Sequence, residues 1–283
     1  MDSTKKGSLL VLVAVILWSI TGIITKTVNT SAIWINLIRS LSGGIFLSPF
    51  IFKQKIYPLK NVLIASVFMA LFLMALTLTT QISSSAMAIS MQYAAPMYVI
   101  AYGFYKNKRI DYKKLMVLIL IFIGVFLNVL DSFKSANIIA IFSGLAIGIT
   151  FILYSATLQK IESGSPLGIV ALINLVCSFF YILVLPFNYT NVPSSLKDIL
   201  LLCLAGVLVS GLSYALYGAG LRKIKVEKAM IIALAEPVLN PIWVFLGNKE
   251  IPEAMTIVGV IFILLGAVAD ILFKKHGSDD TGN

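Results

Sequence analysis

Ten apolar runs separated by short polar connectors leave this chain very few possible folds. They cover roughly residues 7–26, 32–52, 61–80, 85–105, 112–130, 136–158, 166–186, 196–220, 229–247 and 255–273. A hydrocarbon core about 30 Å thick takes about 20 residues of helix to cross, at about 1.5 Å per residue. Lipid offers the backbone no hydrogen bonds, so each run must satisfy its own amides and form a helix. The sequence predicts an all-α polytopic membrane protein, a single membrane domain of ten transmembrane helices. Composition agrees: 59% of the 283 residues are hydrophobic and 12% charged, about half the charge of a soluble domain. Lysines ahead of the first run resemble a secretory leader, but the apolar stretch continues through Ile24 without a small-residue cleavage site. It reads as the first span.

Short connectors make successive helices antiparallel, so the loop charges set the orientation. Of 22 Lys and Arg residues, 17 fall on the side of both termini, 4 on the other side, and Arg39 lies inside a helix. Positive loops face the cytoplasm. Both termini are therefore expected there, in a multi-pass protein of a bacterial inner membrane. The net charge of +10 then belongs to membrane-flanking loops and calls for no nucleic-acid partner. Cys177 and Cys203 sit in apolar runs without metal-ligand spacing, and the single histidine, His276, lies in the polar tail 274–283. No metal, cofactor or histidine-dependent nucleophile is expected.

A repeat relates the two halves. Pro96 followed by Asn107-Lys108-Arg109-Ile110 matches Pro237 followed by Asn248-Lys249-Glu250-Ile251 at an offset of 141. At an offset of 142, Ile82 pairs with Ile224, Gly124 with Gly266 and Asn128 with Asp270. The halves are residues 7–130 and 136–273. With five spans each they enter the membrane in opposite senses, as inverted repeats. Such an architecture places a site near the midplane between the halves and works by alternating access.

The ninth run sets Glu236 beside Pro237, followed by Asn240, Pro241 and Trp243. A carboxylate deep in a span costs roughly 2.5–3.5 kcal/mol on insertion scales, and a proline removes a backbone hydrogen bond and bends the helix. Glu236 and Asn240 are one turn apart, and Trp243 continues their stripe. The functional reading is a proton or cation site, or a partner for a substrate amine, with Pro96, Pro237 and Pro241 as hinges. The structural reading is a buried acid satisfied by backbone groups freed around the prolines. Pro237 has a repeat mate in Pro96, whereas Glu236 aligns with Ala95.

In the second run Asn36, Arg39, Ser40, Gly43 and Gly44 share a face. Arg39 lies about 10 Å from the outer end and Glu236 about 10 Å from the inner end of a core of about 30 Å, so no direct ion pair is expected. Arg39 would attract an anionic group at the outer mouth, or snorkel and fix its helix. Gln92 and Tyr93, near the Pro96 kink, are candidate cavity residues; Tyr98, Tyr102 and Tyr105 read as belt or packing. Trp18 and Tyr214 would supply stacking or cation–π surface. Gly206, Ser210, Gly144 and Gly148 mark close helix contacts.

Ala235-Glu236-Pro237-Val238 through Asn248-Lys249-Glu250, then Gly259 and Gly266, resemble the EamA-type branch of the drug/metabolite transporter superfamily. Trp18-Ser19, Arg39, Pro96 and Gly124 are weaker matches, and the likeness covers residues 7–273. Two positions depart from it: Ser19 stands where the family commonly has glycine, and Arg109 replaces an acid whose repeat mate, Glu250, is kept. The resemblance implies a cavity lined by helices 1–4 and 6–9, with helices 5 and 10 peripheral. It implies a secondary-active transporter, as a monomer or homodimer, and the reading taken is a proton-coupled exporter of a small metabolite such as an amino acid, amine or drug-like compound. An importer or facilitator is the alternative within the fold. An intramembrane enzyme on lipid-linked substrates would need clustered acids, a histidine or an activated nucleophile beside Glu236.

Overall fold

The computed structural model describes residues 3–52, 58–107, 111–134, 138–161, 164–187, 191–224 and 226–279. Lys108 and Arg109, which carry part of the repeat signature, lie outside the described residues. Ten helices follow the apolar runs, and no strand occurs among the described residues. They are α1 (Ser3–Thr27), α2 (Ala32–Leu47), α3 (Leu59–Ile82), α4 (Ser85–Tyr93, then Ala95–Asn107) and α5 (Tyr112–Lys134) in the first half. The second half has α6 (Ile138–Gln159), α7 (Pro166–Val184), α8 (Leu196–Ala205, then Ser213–Leu221), α9 (Val226–Ala233, then Glu236–Asn248) and α10 (Ala254–Asp279). α1 therefore begins and α10 ends on one face, called here the terminal face; the opposite one is the far face.

Four helices are interrupted: α1 at Ile20, and three others each with a local cause. In α4 the break falls at Ala94 and in α9 at Leu234-Ala235. Each precedes a proline, Pro96 or Pro237, that has no amide to continue the ladder. In α8 the two segments are joined by a π-helical stretch, Gly206–Leu212. There α2 crosses closely. A β-carbon at Gly206 would lie 2.9 Å from Arg39 Cα, and one at Gly43 would lie 2.6 Å from the Gly206 carbonyl oxygen.

Helix pairing follows the repeat. α3 packs on α6 and its mate α8 packs on α1, while α2 meets α7, α4 meets α9 and α5 meets α10. Exchanging the two halves maps this set of contacts onto itself. The α5–α10 seam shows the relation atom by atom: Gly124 packs against Ile263, and Gly266 packs against Ile121. Those are two pairs of repeat mates at the 142 offset, so one contact is made twice. The same seam brings Gly124 onto the Gly259 carbonyl, where a β-carbon would lie 2.5 Å away. On the outside, Ile119, Phe122 and Phe126 of α5 and Val258, Ile261 and Leu265 of α10 are exposed at helical spacing. An apolar outer face of this kind has lipid as its solvent. The chain is an integral, multi-pass membrane protein.

The seam makes a direct prediction. Gly124→Leu should cost about 1–3 kcal/mol by overpacking, read as a lower thermal midpoint in detergent. Gly103→Leu, where nothing lies within 4 Å of an added β-carbon, should leave the midpoint nearly unchanged.

Candidate functional site

The site is built on the break in α9. Pro237 has no amide to give to the carbonyl four residues earlier, that of Ala233. In a membrane an orphan carbonyl needs another donor, and α4 supplies it: the Tyr93 hydroxyl donates to the Ala233 oxygen at 2.7 Å. The same hydroxyl lies 2.9 Å from Glu236 Oε2. Glu236 begins the second segment of α9 and is buried. A phenol has one proton to donate. Both contacts are hydrogen bonds only when the Glu236 carboxyl is protonated and donates to the phenol oxygen. When Glu236 is ionised, Tyr93 must choose between the carboxylate and the Ala233 carbonyl. The proton on Glu236 is thus coupled to how the break in α9 is held.

Above this triad lies a cavity of about 360 Å³. Its wall is aromatic, with Trp18 from α1, Tyr93 from α4, Phe151 and Tyr154 from α6, and Tyr214 and Tyr217 from α8. The Trp18 ring sits 4.9 Å, centroid to centroid, from both Tyr214 and Tyr217, and Tyr154 meets Tyr214 edge-on at 6.5 Å. Gln92, Ser155 and the backbone at Ala233 and Leu234 add polar atoms. The wall runs out to Ile161, Pro166 and the exposed Arg222, at the α6–α7 and α8–α9 turns. Those turns belong to the terminal face, so the cavity reaches that side.

The far face is closed by a polar seam between the second half of α9 and the end of α1. Asn240 Nδ2 donates to the Ser19 carbonyl at 2.9 Å, and Trp243 Nε1 to the Ser19 hydroxyl at 2.9 Å. The Ser85 hydroxyl, at the start of α4, donates to the Asn240 carbonyl. Further out, Lys26 pairs with Glu250 at 2.9 Å and donates to the Ser83 carbonyl at 3.0 Å. Asn248 donates to Thr27 at 3.3 Å. The cavity is a blind pocket, open to one side.

The structure brings Trp18, Gln92, Tyr93, Pro96 and Tyr214 to one wall, with Glu236 directly beneath Tyr93. It does not bring Asn36 or Asn240 there. Asn36 donates to the Leu73 carbonyl and accepts from Thr77, inside the α2–α3 contact; Asn240 belongs to the closing seam. Pro241 lies inside the second segment of α9, with no break at it. Arg39 makes no ion pair with Glu236, as the depths required. It is buried within the helices rather than snorkelling to a membrane surface. The implied lining by helices 1–4 and 6–9 is narrower here, because α2 and α3 spend their inner faces on α7 and α6 and give no wall residue, while α10 gives Ala267. Sequence reasoning passed over Phe151 and Tyr154, which look like ordinary members of an apolar run. It also passed over Ser19, visible only as a departure from the family's glycine, and the Lys26–Glu250 pair.

Comparison with known proteins gives one family. The model of the EamA-like transporter family matches residues 5–130 and, a second time, 134–269. No curated protein matches significantly. One protein of known crystal structure superposes with a TM-score of 0.63, covering 94% of this chain and 98% of its own. At 14% identity that likeness speaks for the fold alone.

Removing the shared hydroxyl tests the triad. Tyr93→Phe leaves the Ala233 carbonyl and the Glu236 carboxyl without a partner and should cost about 1–3 kcal/mol. The readout is the thermal midpoint in detergent, and Tyr102→Phe, at an exposed position, should leave it unchanged.

Proposed function

This chain belongs to the EamA-like transporter family, a family of membrane transporters of small metabolites, and on that premise we propose a proton-coupled, secondary-active exporter working by alternating access. The observation that carries the coupling is the single Tyr93 hydroxyl set between the Ala233 carbonyl and Glu236. With the terminal face in the cytoplasm, as the loop charges favour, the cavity is loaded from inside. A substrate enters past Arg222 and lies against Trp18, Tyr154 and Tyr214. Glu236 alternates between a proton and a donor group of that substrate. When the proton leaves, Tyr93 turns its one hydrogen to the carboxylate and lets go of the Ala233 carbonyl. The break at Leu234-Ala235 is then free to bend, and the outer half of α9 can part from Ser19 and Lys26.

The repeat supplies the opposite motion. Pro96 breaks α4 as Pro237 breaks α9, so the halves carry matching joints, whereas the carboxylate is present in one half only. This asymmetry separates moving parts from the coupling group. An uncoupled importer or facilitator would use the same joints and cavity with Glu236 as a structural acid.

The experiment is flux in proteoliposomes, using any ligand found by thermal-shift screening of amino acids, nucleobases, amines and polyamines. An imposed pH gradient should accelerate transport in the wild type and have no effect on Glu236→Gln, whose slow exchange persists. Gradient-dependent transport by Glu236→Gln at the wild-type rate would make the acid structural. A second measurement addresses the seam. Glu250→Lys should slow turnover by placing like charges at Lys26, and the swap Lys26→Glu with Glu250→Lys should recover most of it, a difference of about 0.2–1 kcal/mol for a partly exposed pair.

A further inference from the structure

The cavity wall carries polar groups that the protein itself does not use. The Gln92 side-chain amide and the hydroxyls of Tyr154, Tyr214 and Tyr217 form no hydrogen bond with any described residue. None of these atoms is sealed in the interior, although Gln92 is only 7% and Tyr154 only 4% exposed. They open onto the cavity that all four residues line. Inward phenols elsewhere are satisfied: Tyr98 donates to the Leu145 carbonyl at 3.0 Å, and Tyr181 to the Ala70 carbonyl at 2.8 Å. Folded proteins pair nearly all their inward polar groups, so four free ones around one cavity point to a ligand that pairs with them.

The wall also limits the ligand's charge and shape. No acid lines it, and its one cationic residue, Arg222, stands exposed at the mouth and donates to the Gly164 carbonyl at 2.9 Å. Glu236 is outside the wall, bonded to Tyr93 from beneath. A charged group brought into this chamber would lose its hydration without gaining an ionic partner. A neutral group with a donor beside an acceptor would find both. Gln92 presents an amide NH2 next to an amide oxygen, which pairs with another amide-like edge by two parallel hydrogen bonds. Around it Trp18, Phe151 and the tyrosines offer π-surface on which flat rings stack. At about 360 Å³ the cavity lies near the lower end of the ~300–1,000 Å³ of small-molecule sites, and it suits a small ring system rather than an extended molecule. We propose that Gln92 determines the specificity of the cavity, and that the transported molecule is a neutral, planar ring bearing an amide-type donor–acceptor edge, as lactams, aromatic carboxamides and nucleobases do. The edge pairs with Gln92, the ring lies on the aromatic wall, and the three free phenols take its remaining polar atoms. This rests on the transport reading of the cavity and adds the substrate's chemical class to it.

Ligand-observed NMR titration of the purified, full-length protein at neutral pH tests this with a matched set of probes. Benzamide is neutral and has both donor and acceptor, and acetophenone has the same outline without the donor. Benzoate and benzamidinium place a negative or a positive charge at the same position. Cyclohexanecarboxamide keeps the edge and loses the flat ring. Benzamide should bind wild type about fivefold or more tighter than acetophenone, the worth of a paired hydrogen-bond edge, and tighter than each of the other three. Gln92→Leu should abolish the preference over acetophenone, and Gln92→Met, which keeps the side chain's length, should do the same. Tyr102→Phe, at an exposed position away from the cavity, should leave it in place. Absence of benzamide binding, equal binding of benzamide and acetophenone, tighter binding of either ion, or a preference that survives both Gln92 substitutions would each overturn the proposal. So would cyclohexanecarboxamide binding as tightly as benzamide. If neither Gln92 variant folds, the order of the probes on wild type decides alone. Failure of the transport reading looks different: the benzamide preference is present, but hypoxanthine, a planar lactam, exchanges no faster in proteoliposomes than in protein-free vesicles.

Discussion

A proline in a membrane helix leaves a carbonyl that neither its own helix nor the lipid can satisfy, and the inner architecture of this protein follows from how that debt is met. Pro237 releases the Ala233 carbonyl, and a phenol from the other half of the chain takes it up. That one bond ties α4 to α9, fixes the Tyr93 ring in the cavity wall and holds its oxygen against Glu236. The buried acid is tolerable because the same hydroxyl serves it, and the break is tolerable because the acid does not monopolise that hydroxyl. Backbone repair and acid–base chemistry share a single hydrogen.

Around this centre the protein distributes close contact and openness unequally. At some crossings glycines bring backbones together, as at Gly124, Gly259 and Gly266 between α5 and α10. Around the cavity, large rings hold the helices apart while remaining in contact with one another. Polar side chains appear in a third setting, the far-face seam around Ser19 and Asn240. There they form hydrogen bonds between helices, at Ser19, Asn240, Trp243 and Ser85.

The fold was largely legible in the sequence because lipid enforces it. A run long enough to span and poor in charge has one outcome, and the ten runs became ten helices with ends shifted by a few residues. The repeat was legible for the same reason. Positions such as Gly124 and Gly266 are matched because a close backbone crossing admits little else, and they meet reciprocal partners. The site was only half legible. Trp18, Gln92, Tyr93 and Tyr214 line one cavity, since polar or amphipathic groups in membrane helices avoid lipid. The same avoidance is satisfied equally by a helix seam, which is where Asn36 and Asn240 went. Periodicity distinguishes lipid-facing from inward-facing positions, and it does not distinguish two kinds of inward. Phe151 and Tyr154 were silent because an aromatic ring in an apolar run carries no polar signal at all.

The π-helical stretch of α8 has a consequence of its own. An α-helix turns about 100° per residue, and a π-turn accommodates one extra residue without lengthening the helix by a full step. Gly206 faces α2 on one side of that turn, while Tyr214 and Tyr217 face the cavity on the other. The stretch therefore absorbs a residue between two surfaces of one helix, keeping the glycine packing above and the ring orientation below in register. A chain lacking one residue between 206 and 212 would keep the same ten helices and the same outline. The stretch would close to a plain α-helix, and its two tyrosines would stay on the cavity side while the widened turn beside α2 is lost.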